Sequence, residues 1–160
     1  MNKNDFVLIS PVHVANSILK IAKEKSIKIT PTKLNNLIYL VYVDYLYHTQ
    51  TKLFNEQFSY SHKGPILPSV YFKFSIWADG EIKEFGKDAK GQIYVIDSSI
   101  LDSIINVNLD LYGNFYDDEL ILITNQKNNI KQYRDSEIIL KKYSENKNVS
   151  MLQLKKTQNK

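Results

Sequence analysis

The segment from Thr30 to Tyr47 constrains the fold most strongly, because it has helical periodicity and is apolar on nearly every side. Thr30 and Pro31 predict the helix start, with threonine as the N-cap and proline in the first turn. Apolar residues then cover both sides of the helix: Leu34, Leu37, Ile38, Val41 and Tyr45 on one side, and Leu40, Val43, Leu46 and Tyr47 on the other. Such a helix is typically central in a domain, so we expect the other elements to pack around it.

A second constraint is the stretch YSHKGPILPSVYFKF, in which Gly64 and Pro65 interrupt a short alternating run and Pro68 follows three residues later. Glycine permits backbone angles closed to other residues, while proline fixes φ and has no N–H to donate. Neither a strand nor a helix can therefore continue through this stretch. We predict a strand around Phe58 to His62, a turn, and a new helix with Pro68 in its first turn.

Other periodicities complete a mainly helical α+β domain with a small antiparallel β element. The predicted elements are an amphipathic helix over 11–25, two possible strands over 81–85 and 92–96, a helix capped by Asp97 or Ser98 and ending at Gly113, a helix over 117–123, and a last helix from Asp135 to Tyr143. We assign residues 1–145 to one domain. Residues 146–160 are predicted to be a basic, flexible tail.

The positive charge is concentrated near the C-terminus. Residues 141–160 contain six lysines against Glu145 alone, and Arg134 is the only arginine of the chain. Because arginine is the usual residue for recognising phosphates and bases, a dedicated nucleic-acid binder is not expected. The sequence also lacks cysteine and a long apolar segment, so we expect a cytoplasmic protein without a disulfide framework or a membrane partner.

The sequence gives little support to catalysis or cofactor binding. His13, His48 and His62 are far apart in the sequence, and no phosphate loop, dinucleotide fingerprint or nucleophile elbow occurs. We therefore expect no catalytic residue, no cofactor and no metal. The least favoured hypothesis is an enzyme that uses His62, beside Gly64, with a nearby carboxylate.

Aromatic residues are more informative, because tyrosine and tryptophan often anchor protein interfaces. Most of those in the second helix and after the junction are explained by core packing. Tyr42, Tyr71 and Phe72 cannot all face the same core as their neighbours, so we predict them as partner contacts. Lys33 is a further candidate contact, although an aliphatic stem that runs along the core, with the ammonium at its edge, is the favoured explanation.

Two linked motifs resemble the Panacea, or SocA-like, antitoxin domain, over residues 11–76. VANSILKIAKEKSIKITPTKLNNLIYLVYVDYL is similar to the opening of that domain, and LFNEQFSYSHKGPILPSVYFKF is similar to its GP-x-x-PSVY junction. The matching positions include Asn16, Thr30, Pro31, Lys33, Leu34, Tyr39, Tyr42, Glu56, Phe58, Gly64, Pro65, Pro68, Ser69, Val70, Tyr71 and Phe74. Further along, Asn125 stands where the family has a histidine, and the following Pro-Trp is missing.

The resemblance implies an antitoxin, often phage-associated, that neutralises a co-encoded toxin by direct protein contact. Some members of the family instead act as adaptors that deliver the toxin to a protease, so a protease or chaperone is a possible further partner. The alternative hypothesis is a nucleic-acid-binding regulator that uses the lysine-rich tail. Steep salt dependence of duplex binding would favour that alternative.

Overall fold

A computed structural model describes residues 5–125 and 148–159 of the 160-residue chain. The fold is α+β, with five α-helices and small antiparallel sheets among the described residues, as the sequence predicts. The helices are α1 (Pro11–Glu24), α2 (Pro31–Thr49), α3 (Pro68–Phe74), α4 (Ser99–Tyr112) and α5 (Asp117–Thr124), and a 3-10 turn follows α3 at Ser75–Trp77. None of the helices in the described part of the chain is long and apolar enough to cross a membrane.

The central helix is α2, which contacts the four other helices of the described residues. Its start is the predicted one: the Thr30 hydroxyl accepts a hydrogen bond from the Lys33 backbone N–H at 3.1 Å, and Pro31 is the first helical residue. Nearly every α2 residue as far as Leu46 is buried, whereas Tyr47 is exposed. The other helices pack around it and enclose a core whose fully buried residues include Leu34, Ile38 and Leu46.

Side-chain caps define the starts of other helices. In α1, the Ser10 hydroxyl accepts from the His13 N–H, and His13 Nδ1 accepts from the Ser10 N–H in return. In α4 the cap is Ser98, one of the two predicted residues, and the helix ends at Gly113. These local hydrogen bonds satisfy backbone N–H groups that a helix N-terminus leaves without partners.

Three antiparallel strands form the larger sheet: β1 (Phe6–Leu8), β4 (Ile93–Asp97) and β5 (Met151–Thr157), in the order β1-β5-β4. Strands β2 (Ser59–Ser61) and β3 (Gly64–Ile66) form a separate hairpin at the predicted junction. In the three-stranded sheet Ile96 pairs with Leu154, which is 2% exposed. The prediction of a flexible tail over 146–160 is therefore wrong for residues 151–157, which form the middle strand of this sheet.

The segment from residue 81 to residue 96 differs in part from its prediction. The strand predicted over 92–96 is present as β4, Ile93–Asp97, but residues 81–85 form no strand. There the Ile82 N–H donates to the Ile29 carbonyl and the Phe85 N–H donates to Asn159 Oδ1, so this segment is held by separate loop contacts. The predicted helix from Asp135 to Tyr143 lies outside the described residues.

Helix α1 is joined to strand β4 by side-chain hydrogen bonds. The Asn16 amide donates to the Tyr94 carbonyl and to the Gly86 carbonyl, and the Ile96 N–H donates to the Ser17 hydroxyl at 2.9 Å. Asn16 and Ser17 are buried on α1. Because the bonds to Tyr94 and Ile96 occupy backbone groups of β4 outside its pairing with β5, they attach the sheet to the helical core.

Candidate protein-interaction site

Helix α3 and the turn that follows it expose large apolar side chains. Val70 and Phe74 point inward and are buried, whereas Tyr71, Phe72 and Ile76 are 44%, 74% and 83% exposed. Tyr71 and Phe72 lie on α3, and Ile76 lies in the 3-10 turn that follows it. We call Tyr71, Phe72 and Ile76 the α3 patch.

The patch has a defined local geometry. The rings of Tyr71 and Phe72 meet edge to face with their centroids 5.7 Å apart. The Ser75 hydroxyl donates to the Phe72 carbonyl at 3.0 Å, and the chain then turns at Ala78, whose φ is 50°. A positive φ is uncommon for a residue with a side chain, and such positions often occur at functional sites. The turn ends the helical segment directly beside the patch.

A cavity of about 300 Å³ adjoins the patch. Tyr71 and Ile66 contribute apolar surface to it, while Thr32, Lys63 and Asp79 contribute polar groups. Lys63 Nζ lies 3.9 Å from Asp79 Oδ1. An aromatic rim beside a cavity that contains both charges suits an inserted side chain of a protein partner.

The hairpin that leads into α3 rests on a buried polar cluster. Gly64 has φ 89°, so the predicted glycine-only conformation is confirmed. Beside it the Asn36 amide donates to the Lys63 and Thr32 carbonyls at 3.0 and 2.8 Å, and the Thr124 hydroxyl donates to Asn36 Oδ1. This cluster ties α2, α5 and the hairpin together, and thereby sets where α3 begins.

Pro68 occupies its predicted position, whereas Pro65, predicted in a turn, lies in strand β3. Pro65 is buried in β3 opposite Tyr60, and Pro68 is the first residue of α3. The Ser69 N–H that follows is satisfied by Glu56 Oε2 at 3.0 Å. The junction thus differs in part from its prediction: Gly64 to Ile66 form a second strand, paired with Ser59 to Ser61, and this hairpin leads directly into the predicted helix.

Tyr42 does not belong to the exposed site, which corrects its prediction as a partner contact. The residue is 8% exposed, and its ring packs against the rings of Phe54 and Phe58 at centroid distances of 4.8 and 5.5 Å. Burial raises the pKa of the Tyr42 hydroxyl to about 12. The helical spacing indicated a side chain away from the main stripe, but the segment after α2 folds back and covers it.

Lys33 is likewise buried, and the prediction that it contacts a partner is corrected. Its Nζ donates to the Gly113 carbonyl at 2.7 Å, and the residue is 8% exposed. Burial lowers the pKa of Lys33, an effect that the nearby Asp117 and Glu119 carboxylates oppose. The alternative structural explanation therefore applies: the side chain links α2 to the end of α4.

Histidines and carboxylates form no comparable site in the described part of the chain. His62 lies exposed in the two-residue turn between β2 and β3. Within residues 5–125 and 148–159, no three histidine, aspartate, glutamate or cysteine side chains are placed to hold a metal ion. Asp44, the acidic residue of α2, accepts a hydrogen bond from the Asn108 amide at 2.8 Å.

Sequence reasoning therefore identified two of the three α3 patch residues, Tyr71 and Phe72, and missed Ile76. Helical spacing could not have identified Ile76, because it lies in the 3-10 turn beyond the end of α3. No protein-family model, curated protein or solved structure matches this chain. The geometry of the α3 patch and the motifs around it are thus the basis for a functional proposal.

Proposed function

We propose that the protein is an antitoxin that neutralises a co-encoded toxin by direct protein–protein binding through the α3 patch. The observation that carries this proposal is the joint exposure of Tyr71, Phe72 and Ile76, of which Tyr71 also lines the adjoining cavity. Large apolar side chains grouped in this way commonly mark a site for a protein partner.

The resemblance to the Panacea domain also supports the α3 patch as the binding site. Its junction motif spans Gly64, Pro65 and Pro68, and these residues form the hairpin and the first turn of α3. Tyr71, a motif residue, is 44% exposed, whereas the motif residues Val70 and Phe74 of the same helix are buried. The resembling segment therefore builds and orients the helix that presents the patch.

The composition of the patch suits tight binding. Aromatic residues at the centre of an interface typically contribute most of its binding energy, because they bury a large area with few rotatable bonds. Removal of one such anchor costs about 2 kcal/mol or more of binding free energy. Phe72, the most exposed aromatic of the patch, is therefore the residue expected to contribute most.

Toxin neutralisation can be tested by expressing the chain together with the product of the neighbouring reading frame. Growth of the host would report neutralisation, and co-purification would report direct contact. We expect Phe72→Ser combined with Ile76→Ser to abolish both. Tyr47→Ser is the matched control, because Tyr47 is 58% exposed but lies at the C-terminal end of α2. Circular dichroism would establish that all variants are folded.

The outcomes distinguish direct inhibition from other roles. Full protection by the Phe72→Ser, Ile76→Ser variant would contradict the proposal. Protection that disappears when a host protease is deleted, together with a shorter lifetime of the toxin, would identify an adaptor that delivers the toxin for degradation. Binding to duplex DNA with steep salt dependence, and no co-purified protein, would favour the nucleic-acid alternative.

A further inference from the structure

Strand β1 (Phe6–Leu8) lies at one edge of the three-stranded sheet, whose order is β1-β5-β4. The other edge, β4, is covered by side chains of α1. The Asn16 amide donates to the Tyr94 carbonyl, and the Ser17 hydroxyl accepts from the Ile96 N–H. Uncovered backbone groups at a sheet edge are a template for another strand. Whether β1 can accept one depends on which of its backbone groups face outward.

The hydrogen bonds of β4 determine the direction of the backbone groups in β5. Along an antiparallel strand, consecutive residues direct their N–H and C=O groups to opposite sides. Because Tyr94 and Ile96 bond to α1, the alternate residues of β4 bond to β5, namely Ile93, Val95 and Asp97. Their partners are residues 157, 155 and 153 of β5. The intervening residues of β5, including Leu152, therefore face β1.

The same alternation continues into β1. Leu152 is paired with Val7, so the N–H and C=O groups of Val7 bond to β5. The N–H and C=O groups of Phe6 and Leu8 then point away from the sheet. Within residues 5–125 and 148–159, no hydrogen bond reaches these two donors and two acceptors. We call Phe6 and Leu8, with their outward backbone groups, the β1 edge.

The side chains of the β1 edge are apolar and exposed. Phe6 and Leu8 are 60% and 57% exposed, and they lie on the same face of the sheet because they are two residues apart. Met151, the β5 partner of Leu8, is 52% exposed on that face. Natural edge strands are commonly protected by lysine, proline or a bulge. The β1 strand contains neither residue, and its pairing with β5 is continuous.

The outward backbone groups decide which kind of occupant fits. Phe6 and Leu8 present two donors and two acceptors at the spacing of an extended chain. A helix uses its own backbone groups internally and cannot satisfy them. A strand laid antiparallel to β1 would exchange two hydrogen bonds with Phe6 and two with Leu8. The geometry therefore selects an extended segment.

A second copy of this chain is a less suitable occupant, because the contact would be small. A stable interface buries about 800 Å² on each side, contributed by about 20 residues or more. The β1 edge and Met151 provide only three side chains. A short extended segment needs less area, because main-chain hydrogen bonds hold it to the sheet.

We propose that the β1 edge binds an extended segment of a partner protein, which joins the sheet as an antiparallel strand beside β1. In such a pair the residues directly opposite Phe6 and Leu8 share their face of the sheet and exchange both hydrogen bonds with them. The segment therefore has apolar side chains at alternate positions, on the same residues whose N–H groups face β1. The β1 edge is distinct from the α3 patch, and the proposal does not depend on antitoxin activity.

The test uses a designed peptide of eight alternating valine and threonine residues with a lysine at each end. Its affinity for the full-length protein would be measured by calorimetry, and amide hydrogen exchange by NMR at saturating peptide. We expect exchange of the Phe6 and Leu8 amides to slow by about tenfold or more, because peptide carbonyls accept from them. The Val7 amide, already bonded to β5, should change less.

N-methylated peptides with unchanged side chains test the direction of the hydrogen bonds. Methyl groups on the valine nitrogens remove the donors that face β1 and obstruct pairing, so binding should weaken by about tenfold or more. Methyl groups on the threonine nitrogens face solvent and should weaken binding by less than about threefold.

Two substitutions at Leu8 provide the matched pair on the protein. Leu8→Pro removes the outward N–H and places the proline ring where the added strand would lie. Leu8→Ala also shortens the side chain but retains the N–H. We expect Leu8→Pro to bind the peptide about tenfold or more weakly than Leu8→Ala, with a similar Tm, since neither loses a hydrogen bond to β5. Phe72→Ser, in the α3 patch, should leave peptide affinity unchanged.

Several results would overturn the proposal. Equal affinity of the two N-methylated peptides, or of Leu8→Pro and Leu8→Ala, would show that the peptide does not pair with the β1 edge. Unchanged exchange of the Phe6 and Leu8 amides at saturation would show the same, as would absence of binding at millimolar peptide. A concentration-dependent dimer in sedimentation that is lost in Leu8→Pro would assign the β1 edge to a second copy of the chain.

Discussion

Gly64→Ala is expected to destabilise the protein well beyond the cost of an ordinary surface substitution. Gly64 has φ 89°, and an added Cβ would lie 2.5 Å from Asn36 Oδ1 and 3.0 Å from Thr124 Oγ1. The substitution therefore combines an unfavourable backbone conformation with crowding of a buried hydrogen-bond cluster. Relief of that crowding requires Asn36 to shift away from its partners.

The two contributions can be estimated separately. An alanine in the left-handed region costs about 1–2 kcal/mol. Displacement of Asn36 leaves buried polar groups without full hydrogen bonding, which costs about 1–3 kcal/mol. The sum is about 2–5 kcal/mol of unfolding free energy. For a chain of this size each 1 kcal/mol lowers Tm by about 2–4 °C, so a decrease of roughly 4–20 °C is expected.

Gly91 offers a matched control within the same chain. Its φ is 77°, and an added Cβ would meet nothing within 4 Å. Gly91→Ala should therefore incur the backbone cost alone, about 1–2 kcal/mol. The difference between the two variants in urea denaturation measures the crowding at Asn36.

A double-mutant cycle tests the physical reason directly. With Asn36→Ala as background, the Cβ that Gly64→Ala introduces no longer meets the Asn36 amide, so the cost of Gly64→Ala should fall toward that of Gly91→Ala. Equal destabilisation by Gly64→Ala and Gly91→Ala in the wild-type background would refute the reasoning. So would a cost of Gly64→Ala that does not change when the Asn36 amide is removed.

Three other predictions concern stability. Leu154→Ala should lower the unfolding free energy, measured by chemical denaturation, by about 2–5 kcal/mol, because Leu154 is buried in the middle strand. Lys155→Ala, at an exposed position of the same strand, should change it by less than about 0.5 kcal/mol. Equal effects of the two substitutions would contradict the assignment of β5. Lys33→Ala should lower the unfolding free energy by about 1–3 kcal/mol because it leaves the buried Gly113 carbonyl without its donor, whereas an unchanged Tm would disprove that role. Burial lowers the pKa of His13 below its ordinary value of 6.5, so the unfolded chain binds the proton more readily, and stability should decline as pH falls through 6.5 toward the lowered value. His13→Gln should reduce that slope in pH-dependent melting, and an unaltered slope would contradict it.

Local features of the fold could be predicted from sequence because their causes lie within a few residues. The start of α2 follows from Thr30 and Pro31, which cap and begin a helix through contacts three residues away. The positive φ of Gly64 follows from the conformations that only glycine adopts readily. In each case the interactions that determine the local structure involve only neighbouring residues.

The site required the tertiary structure, because burial of an aromatic residue depends on distant segments. Tyr42 and Phe72 both project away from the main core stripe by helical spacing. Phe54 and Phe58, from the segment that follows α2, cover Tyr42, whereas the described residues leave Phe72 exposed. No local pattern distinguishes these two outcomes.

Local signals in the sequence predict helix α2 and the start of α3 at Pro68, but not the second strand of the hairpin before it. The tertiary structure alone decided that residues 151–157 form a middle strand, since Leu154 pairs with Ile96, far away in the chain. It also decided that the Lys33 ammonium is buried against the Gly113 carbonyl, 80 residues along. Helix capping and turn formation depend on atoms of neighbouring residues, whereas strand pairing and burial depend on which distant segments come into contact.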